Sequence, residues 1–222
     1  MRSISRAHPD GVRWRLARTV WCLLAVAACT PRATALPSGG YHGIALDPAR
    51  PKPDFTLVAT DGRPFHFAAD THGIITLLYF GYTYCPDVCP VHMANIAEVL
   101  HQMPPEDQER VRVVFVTTDP TRDTPTRLRA WLDNFDPRFI GLIGDMATVN
   151  RIQEALGLPP AVPEVGDGPR APGGPAYGVG HAAQVLLFTP DDSLRLEYPF
   201  GTRQADWSAD LTALIAAEPK PK

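Results

Sequence analysis

The chain is poor in thiols, in basic charge and in long apolar runs, and each shortage narrows what it can be. Its 222 residues carry a formal charge of −3. Five of the 21 Lys and Arg, but only one of the 24 Asp and Glu, fall in the first 28 residues. The remainder therefore sets 16 basic against 23 acidic residues, a formal −7 that argues against nucleic acid as a partner. The one marked apolar run, Val20 to Ala28, is about half the ~20 residues that a spanning helix needs, and no later stretch is longer. No internal repeat is present. At 45% hydrophobic and 20% charged residues the chain can build one sizeable core, so one domain of mixed class is expected.

The basic-then-apolar start reads as a signal peptide over residues 1–28. It ends Val26-Ala27-Ala28-Cys29, which resembles the bacterial lipobox, where the new terminal cysteine receives lipid. Residues 29–52 then read as a lipid-anchored tether with a proline-bearing, low-complexity look. This division gives a folded domain over 53–217, a tail at 218–222, and an extracytoplasmic, membrane-anchored protein on the bacterial periplasm side. Cys22 lies in the leader and Cys29 at the anchor, so the domain keeps only Cys85 and Cys89, and its thiol chemistry is confined to one motif.

Short strands are expected at Phe55–Val58 and Pro64–Phe67 around the Asp61-Gly62 turn, an N-terminal hairpin. Ile74 to Phe80 is a continuous apolar run, as in a strand buried on both faces. A helix follows from Pro90 to about Met103 with Met93, Ile96, Ala97 and Leu100 on one side. A second central strand spans Val111 to Thr117. Thr124-Pro125 opens another helix, and Ile140 to Ile143 and Ala147 to Leu156 read as strand and helix. Residues 159–175, dense in proline and glycine, read as a long surface loop. Gln184–Thr189 and Leu194–Phe200 read as strands, and Trp207–Ala217 as a closing helix. The sum is an α/β sandwich with a central mixed sheet, and Cys85 comes just past the carboxyl end of a central strand, where functional residues gather.

The motif Cys85-Pro86-Asp87-Val88-Cys89 has three residues between its thiols. If the segment enters the following helix, positions i and i+4 share a face and a helix N-terminus favours thiolate. Such a pair can ligate a soft metal, exchange disulfides, or close a structural disulfide across a loop too small to stabilise much. A metal needs further ligands. His42 is placed in the tether, and His66, His72, His92 and His101 in or beside surface elements. His181 ends the long loop and enters a strand expected beside the cysteine-bearing one. There it is either a third ligand or a plain hydrogen-bonding residue. Asp119 follows a central strand and is left open as a rim residue, while Asp123 reads as a helix cap.

Four ordered blocks carry a resemblance: Phe80-Gly-Tyr-Thr-Tyr-Cys-Pro-Asp-Val-Cys-Pro, Asp119-Pro-Thr-Arg-Asp-Thr-Pro, Phe135-Asp-Pro-Arg-Phe-Ile-Gly-Leu, and Tyr177-Gly-Val-Gly-His181 before an apolar strand. From about Pro53 to Ala217 the chain resembles the SCO/SenC family of copper-binding, thioredoxin-like assembly factors for cytochrome c oxidase. The resemblance implies a thioredoxin-like sandwich and copper, Cu(I) or Cu(II), held by Cys85, Cys89 and His181. It also implies a copper chaperone rather than an enzyme, monomeric, with subunit II of the oxidase as its partner and other copper chaperones or thiol reductases as further ones. The alternative is a thiol:disulfide reductase with Cys85 and Cys89 as its redox-active pair. Oxidoreductases of this fold usually carry a proline before the strand facing their cysteines, where this chain has Gly180-His181-Ala182. It departs from the family at Tyr84, where many members have histidine, and in the longer, proline-rich 159–174 stretch.

Overall fold

The computed structural model describes residues 40–170 and 176–217. The expected signal segment, the anchor at Cys29 and the 218–222 tail lie outside the described residues. In chain order the elements are β1 (Ile44–Pro51), β2 (Thr56–Ala59), β3 (Pro64–His66), α1 (Phe67–Asp70), β4 (Ile75–Gly81), α2 (Val88–Gln102), α3 (Pro105–Gln108), β5 (Val111–Thr117), α4 (Pro125–Leu132), β6 (Ile140–Ile143), α5 (Met146–Ala155), β7 (Val162–Arg170), β8 (Ala176–Gly180), β9 (Val185–Thr189), β10 (Ser193–Tyr198) and α6 (Gln204–Ala217).

Eight strands form one mixed sheet in the order β1-β10-β9-β4-β5-β6-β2-β3, with β4, β5 and β6 parallel and the other pairs antiparallel. Every residue of β4 is buried. Its side chains alternate between two cores, as the two-residue period of a strand requires. Ile75, Leu77 and Tyr79 join Met93 and Ile96 of α2, Leu128 of α4 and Leu211 of α6 on one face, while Leu78 and Phe80 join Phe67 of α1 and Val149 and Ile152 of α5 on the other. The sheet is thus covered on both sides, which explains why β4 reads as an unbroken apolar run. Thr124 caps α4 as its Oγ1 accepts from the Arg127 N–H, with Pro125 in the first turn.

Two expectations are corrected here. Residues 44–51 are not tether: β1 pairs with β10 at the sheet edge. The chain before it is docked as well. The buried Asp210 carboxylate of α6 accepts from the backbone N–H groups of His42 and Gly43 and from the Tyr198 hydroxyl, at 3.0–3.1 Å. Just past β1, Lys52 is buried and bonds the Thr71 carbonyl at 2.9 Å and Asp192 at 2.8 Å. The 159–175 stretch is likewise not a plain loop, because β7 and β8 pair antiparallel as a separate two-stranded sheet with an irregular register between Val165 and Arg170.

Candidate metal centre

Both cysteines follow β4, the central strand, and the turn between them and the strand is fixed from below. The Asp123 carboxylate accepts from Thr83 N (3.0 Å), Thr83 Oγ1 (2.5 Å) and Thr117 Oγ1 (2.7 Å). Asp123 is therefore not the cap of α4. It ties the end of β5 to the turn that carries Cys85, and burial raises its carboxyl pKa against the pull of those three donors. The Cys85 N–H donates to the Tyr82 carbonyl at 3.1 Å, completing the turn.

Only Cys89 lies inside α2. Asp87 makes no side-chain cap, and the Cys89 N–H instead donates to Cys85 Sγ at 3.4 Å. A sulfur thus takes the place of a capping oxygen, where the partial positive charge of the helix N-terminus is concentrated. Cys89 Sγ is packed with no spare room: a Cβ on Gly81 would lie 2.8 Å from it. The Tyr79 hydroxyl donates to it at 3.5 Å. Burial drives that phenol far above its ordinary pKa, so it remains a donor.

His181 enters from the other side. Its Nδ1 lies 2.8 Å from the Ala182 carbonyl, an acceptor only, so Nδ1 carries the proton. The Nε2 lone pair then faces Cys89 Sγ at 3.5 Å. Ligand atoms of Cys85, Cys89 and His181 all lie within 4.8 Å of one another, and these residues make the one such His, Cys or acidic cluster among the described residues. Both cysteines are free thiols. Their surroundings divide the acidity. The hydrogen bond from the Cys89 thiol, with those from the Cys89 and Asp87 backbone, pulls Cys85 down to about 4 against burial. Burial and the neighbouring Cys85 charge push Cys89 well above the ordinary thiol range.

The sign of each shift gives a test. Between about 4 and the alkaline range, Cys85 is thiolate and Cys89 is thiol. The reduced protein is expected to show the ultraviolet absorption of a single thiolate at neutral pH, held down to ~pH 5 and lost as pH approaches about 4. Two thiolates at neutral pH, or none, would contradict this division.

The other residues singled out in the sequence do not join the cluster. Asp119 bonds Arg122 and accepts from the Tyr177 hydroxyl at 2.8 Å. Arg122 in turn lies over the Tyr177 ring at 3.5 Å and the Tyr84 ring at 5.0 Å, and Arg127 covers Tyr84 from 3.8 Å. Tyr84 is thus flanked by two guanidiniums beside Cys85, a cation–π arrangement that joins the turn before the cysteines to the strand before His181. His66 and His72 are exposed and His101 pairs with Asp136, whereas His92, expected at the surface, is buried. Its signal was its place one turn beyond Cys89. Tyr79 was also missed, although it is the one hydroxyl-tipped aromatic in the apolar run before Gly81.

The SCO1/SenC family model matches residues 45–216. A Stutzerimonas stutzeri protein named as copper-binding is 37% identical over 145 residues, 64% of this chain and 66% of its own length. The matched stretches of the first curated relatives cover no more than that share of their lengths. Among solved structures, apo Sco1 of Thermus thermophilus is 31% identical with a TM-score of 0.68, covering 80% of this chain and 99% of that one. Bradyrhizobium japonicum ScoI with copper bound is also 31% identical, with a TM-score of 0.62, covering 73% and 98%. The fold is the thioredoxin-like one of these structures.

Proposed function

The chain belongs to the SCO1/SenC family, and on that premise we propose that it carries copper on Cys85, Cys89 and His181 and delivers it to the subunit II copper site of cytochrome c oxidase. The observation that carries this reading is the convergence of two sulfurs and one unprotonated imidazole nitrogen in a chain 31% identical to a copper-bound ScoI. The donor set fits the metal. Thiolates suit Cu(I), and the imidazole adds the nitrogen that Cu(II) seeks, so one site serves both states. One sulfur is already ionised, so capture at neutral pH displaces only the Cys89 proton. Among the described residues no helix is long and apolar enough to cross a membrane, and we place the anchor at Cys29.

One observation favours a second reading. A low-pKa Cys85 is suited to attack a partner disulfide. The resulting mixed disulfide would be resolved by Cys89, releasing the partner's dithiol and leaving a Cys85–Cys89 disulfide that an outside thiol reductant must reopen.

Cells lacking the protein separate the two. If delivery dominates, His181→Ala and Cys85→Ser both lose oxidase assembly, and added copper partly rescues the histidine variant alone. This is the expected pattern. If reduction dominates, His181→Ala assembles oxidase nearly normally, and Cys85→Ser recovers only with a chemical reductant.

A further inference from the structure

Besides the Tyr79 hydroxyl, which bonds Cys89 Sγ directly, a second buried polar side chain, His92, is linked to the centre through the backbone beside His181. It is 2% exposed and lies one helical turn past Cys89, on the same side of α2. Its ring is held between Tyr79, 5.2 Å away, and Phe200, 5.6 Å away. A buried imidazole must find partners, and Nε2 finds the Ala183 carbonyl at 2.8 Å. A carbonyl only accepts, so Nε2–H is the donor. Burial lowers the His92 pKa, which keeps the ring neutral and leaves it a single N–H to give.

The partner is what gives that bond meaning. Residues 181–184 belong to no strand. The β7–β8 ladder ends with Gly180 opposite Val162, and pairing in the main sheet resumes with Val185 opposite Tyr198. The register of His181 is therefore set by neither ladder. Its ring is aimed by its own neighbour, since Nδ1–H bonds the Ala182 carbonyl and turns Nε2 toward Cys89 Sγ. The ring also packs edge-on against Tyr79 and Tyr82, and the backbone at Ala182–Ala183 supplies the hydrogen bond that selects which nitrogen faces the sulfur.

We propose that His92 is a positioning residue that presets His181: through the Ala183 carbonyl it pins the unpaired segment to α2, so one rigid helix carries both a cysteine sulfur and the anchor for the imidazole. Its effect on the metal rests on the copper reading above; its effect on His181 does not. The Ala182 carbonyl is the direct partner that fixes this imidazole's tautomer, and loss of such a partner typically lowers metal affinity about 10–100-fold; His92 acts one residue further out, so its loss should fall at the lower end of that range. The loss should fall on Cu(II), which needs the nitrogen, and spare Cu(I), which two sulfurs suffice to hold.

The test uses the reduced full chain with His92→Leu, which fills the space without a donor, and His92→Gln, which restores an N–H near the position of Nε2. In metal-free protein, nitrogen NMR should show His181 as the Nδ1–H tautomer in wild type and His92→Gln. In His92→Leu the tautomers should mix, and amide exchange at Ala182 to Gln184 should speed by about tenfold or more, the signature of local opening. In copper titrations His92→Leu should lose about tenfold in Cu(II) affinity and less than about threefold in Cu(I), with His92→Gln near wild type. An unchanged tautomer and exchange rate in His92→Leu overturns the proposal, as does an equal loss for both oxidation states. Should His92→Leu not fold, His92→Asn, whose amide stops short of Ala183, carries the same measurements. A wild type that binds no copper would sink the copper reading, and the metal-free measurements would still decide the role of His92.

Discussion

Cys89→Ser is expected to abolish copper binding in both oxidation states, and Cys85→Ser to abolish the Cu(II)–thiolate absorption. His181→Ala should spare a Cu(I) site of two sulfurs. Wild type should take one equivalent per reduced domain, because the chain offers a single cluster of this kind among its described residues. The asymmetry follows from ligand preference: Cu(I) accepts few, soft donors, whereas Cu(II) seeks further nitrogen or oxygen. In His181→Ala the Cu(II) affinity should fall at least about tenfold further than that for Cu(I), a difference of ~1.4 kcal/mol. Competition titrations against chelators of known affinity measure both. Equal losses would show that the nitrogen is not a ligand of this kind, and unchanged binding of both states would remove His181 from the site.

The largest effect on stability is expected at Trp207. Its side chain, on the inner face of α6, is fully buried and stacks on Tyr198 with centroids 3.8 Å apart. Tyr198 in turn donates to Asp210, and a Cβ on Gly43 would come within 2.8 Å of its ring. Trp207→Ala would empty the space that holds α6, β10 and the start of the chain together. Truncating a buried aromatic costs about 3–5 kcal/mol, which at roughly 2–4 °C per kcal/mol for a domain of this size gives a fall of about 6–20 °C in Tm. Thermal unfolding followed by circular dichroism reads this directly. A loss under ~1 kcal/mol would mean that the stack does not hold the layer together. Copper stoichiometry well below the transition should be unchanged, since none of these residues touches the cluster.

How much of this was legible in the sequence depended on whether local pattern and tertiary packing agreed. They agreed in β5 and β6, whose bounds match the expected ones, and at Thr124-Pro125, where the local capping signal is also the observed cap. They disagreed at β1. Pro48, Pro51, Asp47 and Arg50 look like linker, but an edge strand tolerates proline and its pairing here shifts register between Ala45 and Arg50. The β7–β8 pair was hidden for a related reason. It lies outside the main sheet and lacks the alternation of a half-buried strand. At the site, the spacing of Cys85 and Cys89 was visible, and His181 gained its meaning from the ordered blocks around it. Asp123 was misread because a carboxylate beside Thr-Pro looks like a cap, while its partners, Thr83 and Thr117, are distant in sequence or on the preceding strand. His92 stands next to the apolar stripe of α2, and only the chain arriving from residue 183 reveals what it faces.

The unequal burial of the two sulfurs gives the proposed copper transfer a direction. Cys89 is wholly enclosed, beneath Tyr79 and against Gly81, whereas Cys85 keeps 8% of its surface and His181 is partly exposed. If copper is handed on as proposed, an acceptor's ligands would approach across the Cys85 and His181 edge, and those two would be displaced before Cys89. The sulfur that would then let go last is also the one whose surroundings most favour the protonated thiol. On the proposed delivery role, departure would be coupled to protonation of Cys89, and its rate should rise as the solution becomes more acidic.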